Sequence, residues 1–406
     1  MGKYIFLTGL YLPKPGATGL CVHQLAKEAV RRGHDVTTVC YEDSDRLAVI
    51  DGVKIVKIKT PSYLQENMAA SLVKKRINHL NSIASKLIHI RKYPLRSMAI
   101  VNRYCHDVKR ILSNTEGNVT IIASVNPLEA VVAAKRIKQA NPERVKIVYY
   151  CADTLSNEKG DSGILPAEYR TKCGIRWERD LFSSFDIVLI MECHKDHYFS
   201  STFEHLTDKM RLVNFPLFTR MQTKGSAISG NNIMMVYAGT LYRELRNPFF
   251  LCDQLVELSK VEHIHATFLG SGDCEDILLS AAAKSDGAIE YIGMQPHEKA
   301  MEYISEAQIL LSIGNIESPM APSKIYEYMS TGKPIIHTYT YENDPCLEPL
   351  RRYGNALLLR EGEETAQKKI VDFIRDRKEL SYEVVRDKFI LSTPEYTMDI
   401  IEDDFK

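Results

Sequence analysis

The stretch Pro322-Ser-Lys-Ile-Tyr-Glu-Tyr-Met-Ser-Thr-Gly-Lys-Pro-Ile-Ile336 reads as a helix that runs into a strand. Ser323 is a residue type that caps helices, and the proline before it keeps Ala321 out of helical geometry. Ile325, Tyr328 and Met329 share one helical face. Gly332 stands where a helix C-terminus favours glycine, and Lys333-Pro334 stops the helix before the apolar Ile335-Ile336. Glu327 falls one turn past the cap, near the positive end of the helix. The free N–H groups there, with Lys324, suit a phosphate, and a carboxylate one turn on can accept two hydrogen bonds from adjacent sugar hydroxyls. Diphosphate and ribose together make a nucleotide. The same spacing also fits a solvated i, i+3 pair of Lys324 and Glu327 on an ordinary surface helix.

Working outward, the second half of the chain alternates strands and helices. Met234–Ala238 reads as a strand, followed by the loop Gly239-Thr-Leu-Tyr-Arg-Glu-Leu-Arg-Asn-Pro248 and a helix over Phe249–Leu258. His265–Leu269 is the next strand, then the glycine turn Gly270-Ser-Gly-Asp273, a strand at Ile289–Ile292 that ends in Gly293-Met-Gln-Pro296, a helix from His297 to Glu306 and a strand at Ile309–Ser312. A late strand is predicted at Ala356–Leu359, and closing helices at Asp387–Leu391 and Tyr396–Asp403.

The first half shows the same alternation. Tyr4–Thr8, Asp35–Cys40, Val53–Ile58, Val119–Ser124, Val145–Cys151, Ile187–Met191 and Arg211–Pro216 read as strands. Between the first two lie a Pro- and Gly-bearing loop, Tyr11–Gly19, and an amphipathic helix, Cys21–Arg32, which completes a βαβ unit. Helices are predicted over 67–113, with a break at Pro94, and at Pro127–Gln139 and Tyr169–Ser184. Gly16 and Gly19 stand without the full glycine triad of a dinucleotide fingerprint, so NAD binding is disfavoured and tight-turn geometry explains them as well. Asp153 falls at the C-terminal end of its strand, where parallel sheets gather ligands. It is placed either to touch an acceptor hydroxyl or to serve as a turn residue. Cys193, His194 and His197 invite a zinc site, but no second ligand pair stands at suitable spacing, and a helix start explains them. Polar Gln222–Asn232 reads as a linker.

With 406 residues the chain suits two domains, and 45% hydrophobic with 26% charged residues allows real cores. A net charge of +0 argues against a nucleic-acid partner. The balance hides a basic stretch between Ser71 and Arg110, with ten Lys and Arg against Asp107 alone, which is either a solvated face or a docking surface for anionic lipid or a lipid-linked diphosphate acceptor. The 9 cysteines form no Cys-x-x-Cys, which suits reduced thiols in a cytoplasm. No signal peptide is read at the start, and no apolar run reaches about 18 residues.

The wording of 322–336 resembles the donor-site signature of retaining GT-B glycosyltransferases of family 4, in the variant that reads Pro-x-Lys-hydrophobic-x-Glu-Tyr-Met-x-x-Gly-Lys-Pro. Tyr237-Ala-Gly-Thr-Leu-Tyr with Arg246-Asn-Pro, and the loop-helix-Arg-Gly-His-Asp-Val pattern over 11–39, are similar to the same family. The resemblance implies an α/β chain of two Rossmann-like domains facing each other across a cleft. Residues 1–216 would be the acceptor domain, with a C-terminal helix (390–406) crossing back, and 217–389 the donor domain.

It implies that Glu327 holds the ribose of a UDP- or GDP-sugar, and that Ser323, Lys324 and Arg246, with Arg243, hold its diphosphate. Gly16, Ala17, Thr18 and Gly19 would close over the donor, Gly239 and Thr240 would line it, and Met294 and Gln295 would frame the base. Arg246, Lys324 and Asp153 would carry catalysis, with no metal and no cofactor, the nucleotide sugar being a substrate. Two positions depart from the family: Thr240 replaces the usual Arg after Gly, and Pro319 stands where a first Glu is usual. Glu317 or the amides of Met320 and Ala321 would have to serve instead. The partners implied are a nucleotide sugar and a glycan or lipid-linked acceptor, with peripheral membrane contact through 71–110. The place implied is the cytoplasm or the inner face of the membrane, in cell-surface polysaccharide synthesis. Two alternatives stay open: a non-catalytic nucleotide-sugar-binding or scaffold protein, and a nucleotide-sugar 2-epimerase of the same fold.

Overall fold

The computed structural model describes residues 2–13, 15–41, 49–59, 93–157, 165–220, 232–316 and 323–405. They form two compact units, Met1–Pro216 with Pro394–Lys406, and Leu217–Thr393.

The first unit is built on eight strands: β1 (Lys3–Leu7), β2 (Asp35–Tyr41), β3 (Val49–Ile50), β4 (Val53–Ile58), β5 (Val119–Ser124), β6 (Val145–Cys151), β7 (Ile187–Met191) and β8 (Met210–Val213). They lie in the order β3-β4-β2-β1-β5-β6-β7-β8. Only β3 runs antiparallel to its neighbour. β7 is buried along its whole length, and β1, β5 and β6 nearly so. This is why they read as unbroken apolar runs: helices cover both faces of a parallel sheet. Those helices are α1 (Ala17–Arg31), α2 (Met98–Ser113), α3 (Leu128–Ala140) and α4 (Ala167–Ser184). The C-terminal helix Pro394–Asp403 docks on α1, where Arg32 reaches Asp399 at 2.8 Å and Glu402 at 3.2 Å.

The second unit carries β9 (Ile233–Ala238), β10 (Ile264–Leu269), β11 (Ile289–Gly293), β12 (Ile309–Ile313), β13 (Ile335–Tyr339) and β14 (Ala356–Arg360). All its pairings are parallel, in the order β11-β10-β9-β12-β13-β14. Its helices are α5 (Phe249–Leu258), α6 (Glu275–Lys284), α7 (His297–Glu306), α8 (Lys324–Ser330), α9 (Leu347–Tyr353), α10 (Ala366–Arg375) and α11 (Tyr382–Lys388). Met235, Leu255, Phe268, Ile309, Leu311 and Ile336 form the centre of its core. In each sheet the strand order reverses at the first strand, β1 or β9, and the loops leaving the carboxyl ends there diverge to leave a crevice.

Several expectations need correction. α1 starts at Ala17 rather than Cys21. Gly-Ala-Thr-Gly has loop chemistry, yet Gly16 is the extended N-cap and Gly19 lies inside the helix. A Cβ at Gly19 would stand 1.9 Å from the Leu10 carbonyl oxygen, so glycine is required there by close approach rather than by a turn. α6, α9 and α10 were not read from the sequence; each is short, and α9 carries Pro349 in its first turn, where proline is tolerated. The closing helices are Tyr382–Lys388 and Pro394–Asp403, with a 3-10 turn at Ile390–Ser392 between them. Of the basic stretch, α2 is described, while 67–92 and most of the expected linker lie outside the described residues. Among the described residues no helix is long and apolar enough to cross a membrane.

Candidate functional site

The reversal point of the second sheet is built by two loops laced together through their backbones. Leu241 N–H donates to the Ser271 carbonyl (2.8 Å), and Asp273 N–H donates to the Leu241 carbonyl (3.1 Å). The approach is close enough that a Cβ at Gly270 would stand 1.7 Å from the Gly239 carbonyl oxygen, and one at Gly272 1.6 Å from that of Leu241. Both glycines have positive φ as well. The glycine turn between β10 and α6 therefore fixes the loop that leaves β9.

That loop returns Arg246 over the strand ends. Its guanidinium donates to Asn315 Oδ1 from Nε (3.1 Å) and Nη2 (2.7 Å), and to the Thr240 carbonyl from Nη1 (3.2 Å). Asn315 is buried just after β12, so the cation is braced across the two strands that flank the reversal. The Tyr237 hydroxyl also donates to the Thr240 carbonyl, at 3.2 Å. Thr240, standing where an arginine was expected, thus supports Arg246 through its backbone. Arg243 behaves differently. Its side chain is exposed and pairs with Asp276 on α6, not with Glu244 and not with the Arg246 cluster.

α8 meets the same strand end from the other side. The Tyr328 hydroxyl accepts from Ala238 N–H at 2.7 Å, tying the helix to the last residue of β9. One residue earlier, the side chain of Glu327 is buried, and its Oε2 accepts from Lys324 Nζ at 2.8 Å. The i, i+3 pair is real, but half of it is a buried carboxylate rather than a solvated one. Ser323 does not cap the helix. Its backbone is itself helical (φ −59°, ψ −23°), and its side chain makes no capping bond, because a cap needs extended geometry to turn its hydroxyl back. Gly332 takes the left-handed conformation expected of it (φ +75°). Lys333 is buried, and its ammonium donates to the carbonyls of Ile304 (3.2 Å), Ser305 (2.5 Å) and Ala307, the negative end of α7.

His297 opens α7 close enough to α8 for both its charges to act on it. Burial pushes its imidazole below the ordinary histidine range, Glu327 opposes the shift and Lys324 adds to it. Asn315, Tyr328 and His297 had no assigned role in the sequence. Position just past a strand at the sheet reversal is the signal that finds Asn315. Met294 is exposed, and the Gln295 amide donates to the Ile292 carbonyl at 2.8 Å. Glu317, Pro319, Met320 and Ala321 lie outside the described residues.

In the first unit, Gly16, Ala17, Thr18 and Gly19 form the head of α1 beside the reversal at β1. Among the described residues, no atom outside its chain neighbours lies within 4 Å of a Cβ built at Gly16. Asp153 stands just past β6, in a loop organised by buried Glu178. That carboxylate accepts from Leu155 N–H (2.6 Å), Ser156 N–H (3.2 Å), the Ser156 hydroxyl and the Tyr198 hydroxyl (2.7 Å). Burial raises the Glu178 carboxyl, and these donors oppose the shift. His197 Nε2 lies 2.8 Å from Ser156 Oγ, so that ring serves this network rather than a zinc site with Cys193 and His194.

No family model matches the sequence, and no curated protein matches it. Solved structures do match over nearly the whole chain. A glycosyltransferase from Rickettsia africae is 12% identical with a TM-score of 0.58, covering 100% of both chains. Anabaena Alr3699/HepE, solved with UDP and glucose, is 14% identical with a TM-score of 0.55, covering 99% of both. The catalytic domain of Arabidopsis thaliana starch synthase IV, bound to ADP and acarbose, is 12% identical with a TM-score of 0.55, covering 100% of this chain and 99% of its own. At these identities the likeness is one of fold, and the chain has the α/β fold of the GT-B glycosyltransferases, with one parallel-sheet body in each unit.

Proposed function

We propose that this chain transfers a glycosyl group from a nucleotide sugar, with retention of configuration, as glycosyltransferases of family 4 do. The observation that carries the reading is the pairing at one strand end of a braced cation, Arg246 on Asn315, with a buried carboxylate, Glu327, on the helix tied there by Tyr328. Glu327 accepts from the ribose hydroxyls. Arg246 and Lys324 take up the charge that develops on the departing diphosphate, which needs no metal in this reading. Ser323 contributes backbone N–H at the helix head, and Gly239, Thr240, Met294 and Gln295 line the donor. Arg243 is a minor contributor, since Asp276 holds it. The leaving phosphate takes the acceptor proton, so no protein base is required. Gly16, Ala17, Thr18 and Gly19 offer backbone N–H to the donor, and Asp153 orients the acceptor hydroxyl. Residues 1–216 with the last helix are the acceptor side and 217–389 the donor side.

UDP and ADP in two neighbours support a nucleoside diphosphate leaving group. A neighbour described as acting in lipopolysaccharide biosynthesis, at 12% identity and a TM-score of 0.51, supports a glycan or lipid-linked acceptor of the cell surface. A cytoplasmic enzyme touching the inner membrane face through 71–110 fits that acceptor.

The test is a thermal-shift titration with UDP, GDP and ADP and their sugar conjugates, beside Glu327→Ala. A ligand that binds only the folded chain raises apparent stability. The expected result is a shift with one nucleotide series that is lost in the variant. A shift with none of them, or one unchanged by Glu327→Ala, overturns the reading. The anomeric configuration of the product by NMR then decides retention.

A further inference from the structure

The second unit holds another group of polar side chains that the proposed chemistry does not use. His337 on β13, Asp344 in the loop that follows and Cys346 at the head of α9 are all buried. Their imidazole nitrogen, carboxylate oxygen and thiol sulfur lie within 4.8 Å of one another. His337 Nδ1 stands 2.9 Å from Ser312 Oγ on β12. Its other nitrogen, Nε2, faces Asp344 Oδ2 at 3.5 Å, the outer limit of a hydrogen bond, and among the described residues neither atom has a closer partner. The second Asp344 oxygen is already taken by Cys346 N–H at 2.7 Å. Gly314 makes room for the carboxylate, since a Cβ there would stand 1.9 Å from Oδ2.

Buried polar atoms held only by one long contact are rare, and a nitrogen and an oxygen facing each other at that separation can share a cation as well as a proton. With the ring proton on Nδ1, donated to Ser312, the Nε2 lone pair points at a carboxylate lone pair. A cation between them satisfies both. A histidine whose far nitrogen is held by an oxygen is the usual outer support of a metal-bound imidazole. Tetrahedral zinc sets its nitrogen, oxygen and sulfur donors roughly 3.3–3.8 Å apart, and the His337–Asp344 separation of 3.5 Å falls within that span. Thiolate with imidazole favours zinc over magnesium or calcium.

We propose that His337, Asp344 and Cys346 form a site for a divalent zinc-class cation, which ties β13 to the start of α9. On binding, the Cys346 thiol gives its proton to solvent and the sulfur bonds the metal as thiolate. Three protein ligands leave one position of the tetrahedron for a water. Its ligands are none of the residues assigned to glycosyl transfer, although the Arg246 guanidinium lies near enough to act on the Cys346 thiol.

The experiment uses the full chain, stripped with a chelator and dialysed against Zn2+ or Co2+. The expected result is about one zinc per chain, an apparent Tm raised by about 5 °C, and a Co2+ complex with thiolate charge-transfer absorption in the near ultraviolet. That band disappears in Cys346→Ser and persists in Cys193→Ser, the control for the surface Cys-His cluster. A folded wild-type chain that holds below about 0.1 zinc, or a Co2+ spectrum unchanged in Cys346→Ser, overturns the proposal. His337 and Asp344 are then a plain buried ion pair. The wild-type measurement stands even if the variant fails to fold.

Discussion

After β1 and after β9 the chain leaves the same topological position, the reversal point of a parallel sheet, and does so in two different ways. Beyond β1 it runs through Leu10–Pro15, in which Lys14 is the one charged residue of the sequence, to the open N-cap Gly16. Its tie is polar and local: Tyr11 Oη lies 2.7 Å from His23 Nδ1, and His23 Nε2 lies 3.0 Å from Asp51. Beyond β9 the loop is laced to a glycine turn and delivers Arg246 to buried Asn315. The comparison separates two decisions. Connectivity sets where a ligand can sit, and the side chains hung on that loop set which charge it can carry.

The largest effect should come from removing the braced cation. Arg246→Ala is expected to lower transfer about 100- to 1,000-fold in a donor-dependent product assay, by loss of charge stabilisation on the leaving group. Arg243→Ala, which breaks only an exposed pair with Asp276, is expected to stay within about threefold. Equal losses would mean that bracing by Asn315 does not distinguish the two arginines.

The backbone lacing comes next. Gly272→Ala meets the Leu241 carbonyl and should cost roughly 3 kcal/mol in urea unfolding. Gly16→Ala in the first unit meets no atom of the described residues beyond its chain neighbours and should cost about 1 kcal/mol or less. Matching costs would remove the contrast between a laced loop and an open one.

The buried ties differ in the same sense. Lys333→Met leaves the carbonyls at the end of α7 without their ammonium and is expected to destabilise the second unit by roughly 2 kcal/mol. Tyr11→Phe removes the contact with His23 and the longer bond that the hydroxyl accepts from Thr38, and should cost about 1 kcal/mol.

The smallest effect is one of pH and belongs to the first unit. Burial tends to raise Glu28, but bonds from Arg31 and Arg32 hold its carboxyl below the ordinary range. A depressed carboxyl adds stability above its unfolded pKa and loses it as pH falls through the folded value. The margin of wild type over Glu28→Gln in thermal unfolding should therefore shrink as pH falls below about 4.5. A margin independent of pH would show that Glu28 acts by packing alone.

Much of this was legible before any coordinates. Val119–Ser124 and Phe249–Leu258 have the bounds their apolar patterns predict, because parallel strands buried on both faces and a core-facing helix leave dense local signals. Lys324 and Glu327 were legible as a pair because a helix brings i and i+3 together whatever surrounds it. Other features were not. Ser323 has the chemistry of a cap but the geometry of the helix itself. Arg243 and Arg246 look alike along the chain. What separates them is Asp276, 33 residues from Arg243, and Asn315, 69 residues from Arg246. His337, Asp344 and Cys346 share no spacing that marks a site.

By itself, then, the sequence determined two bodies of alternating strand and helix and a helix head carrying Lys324 and Glu327, since periodicity and i, i+3 geometry are local. Only the tertiary structure decided which arginine is braced, why Gly19, Gly270 and Gly272 must be glycine, and which buried polar atoms meet. Those contacts join residues from different strands, and their distances are set by sheet order and packing, which no local pattern encodes.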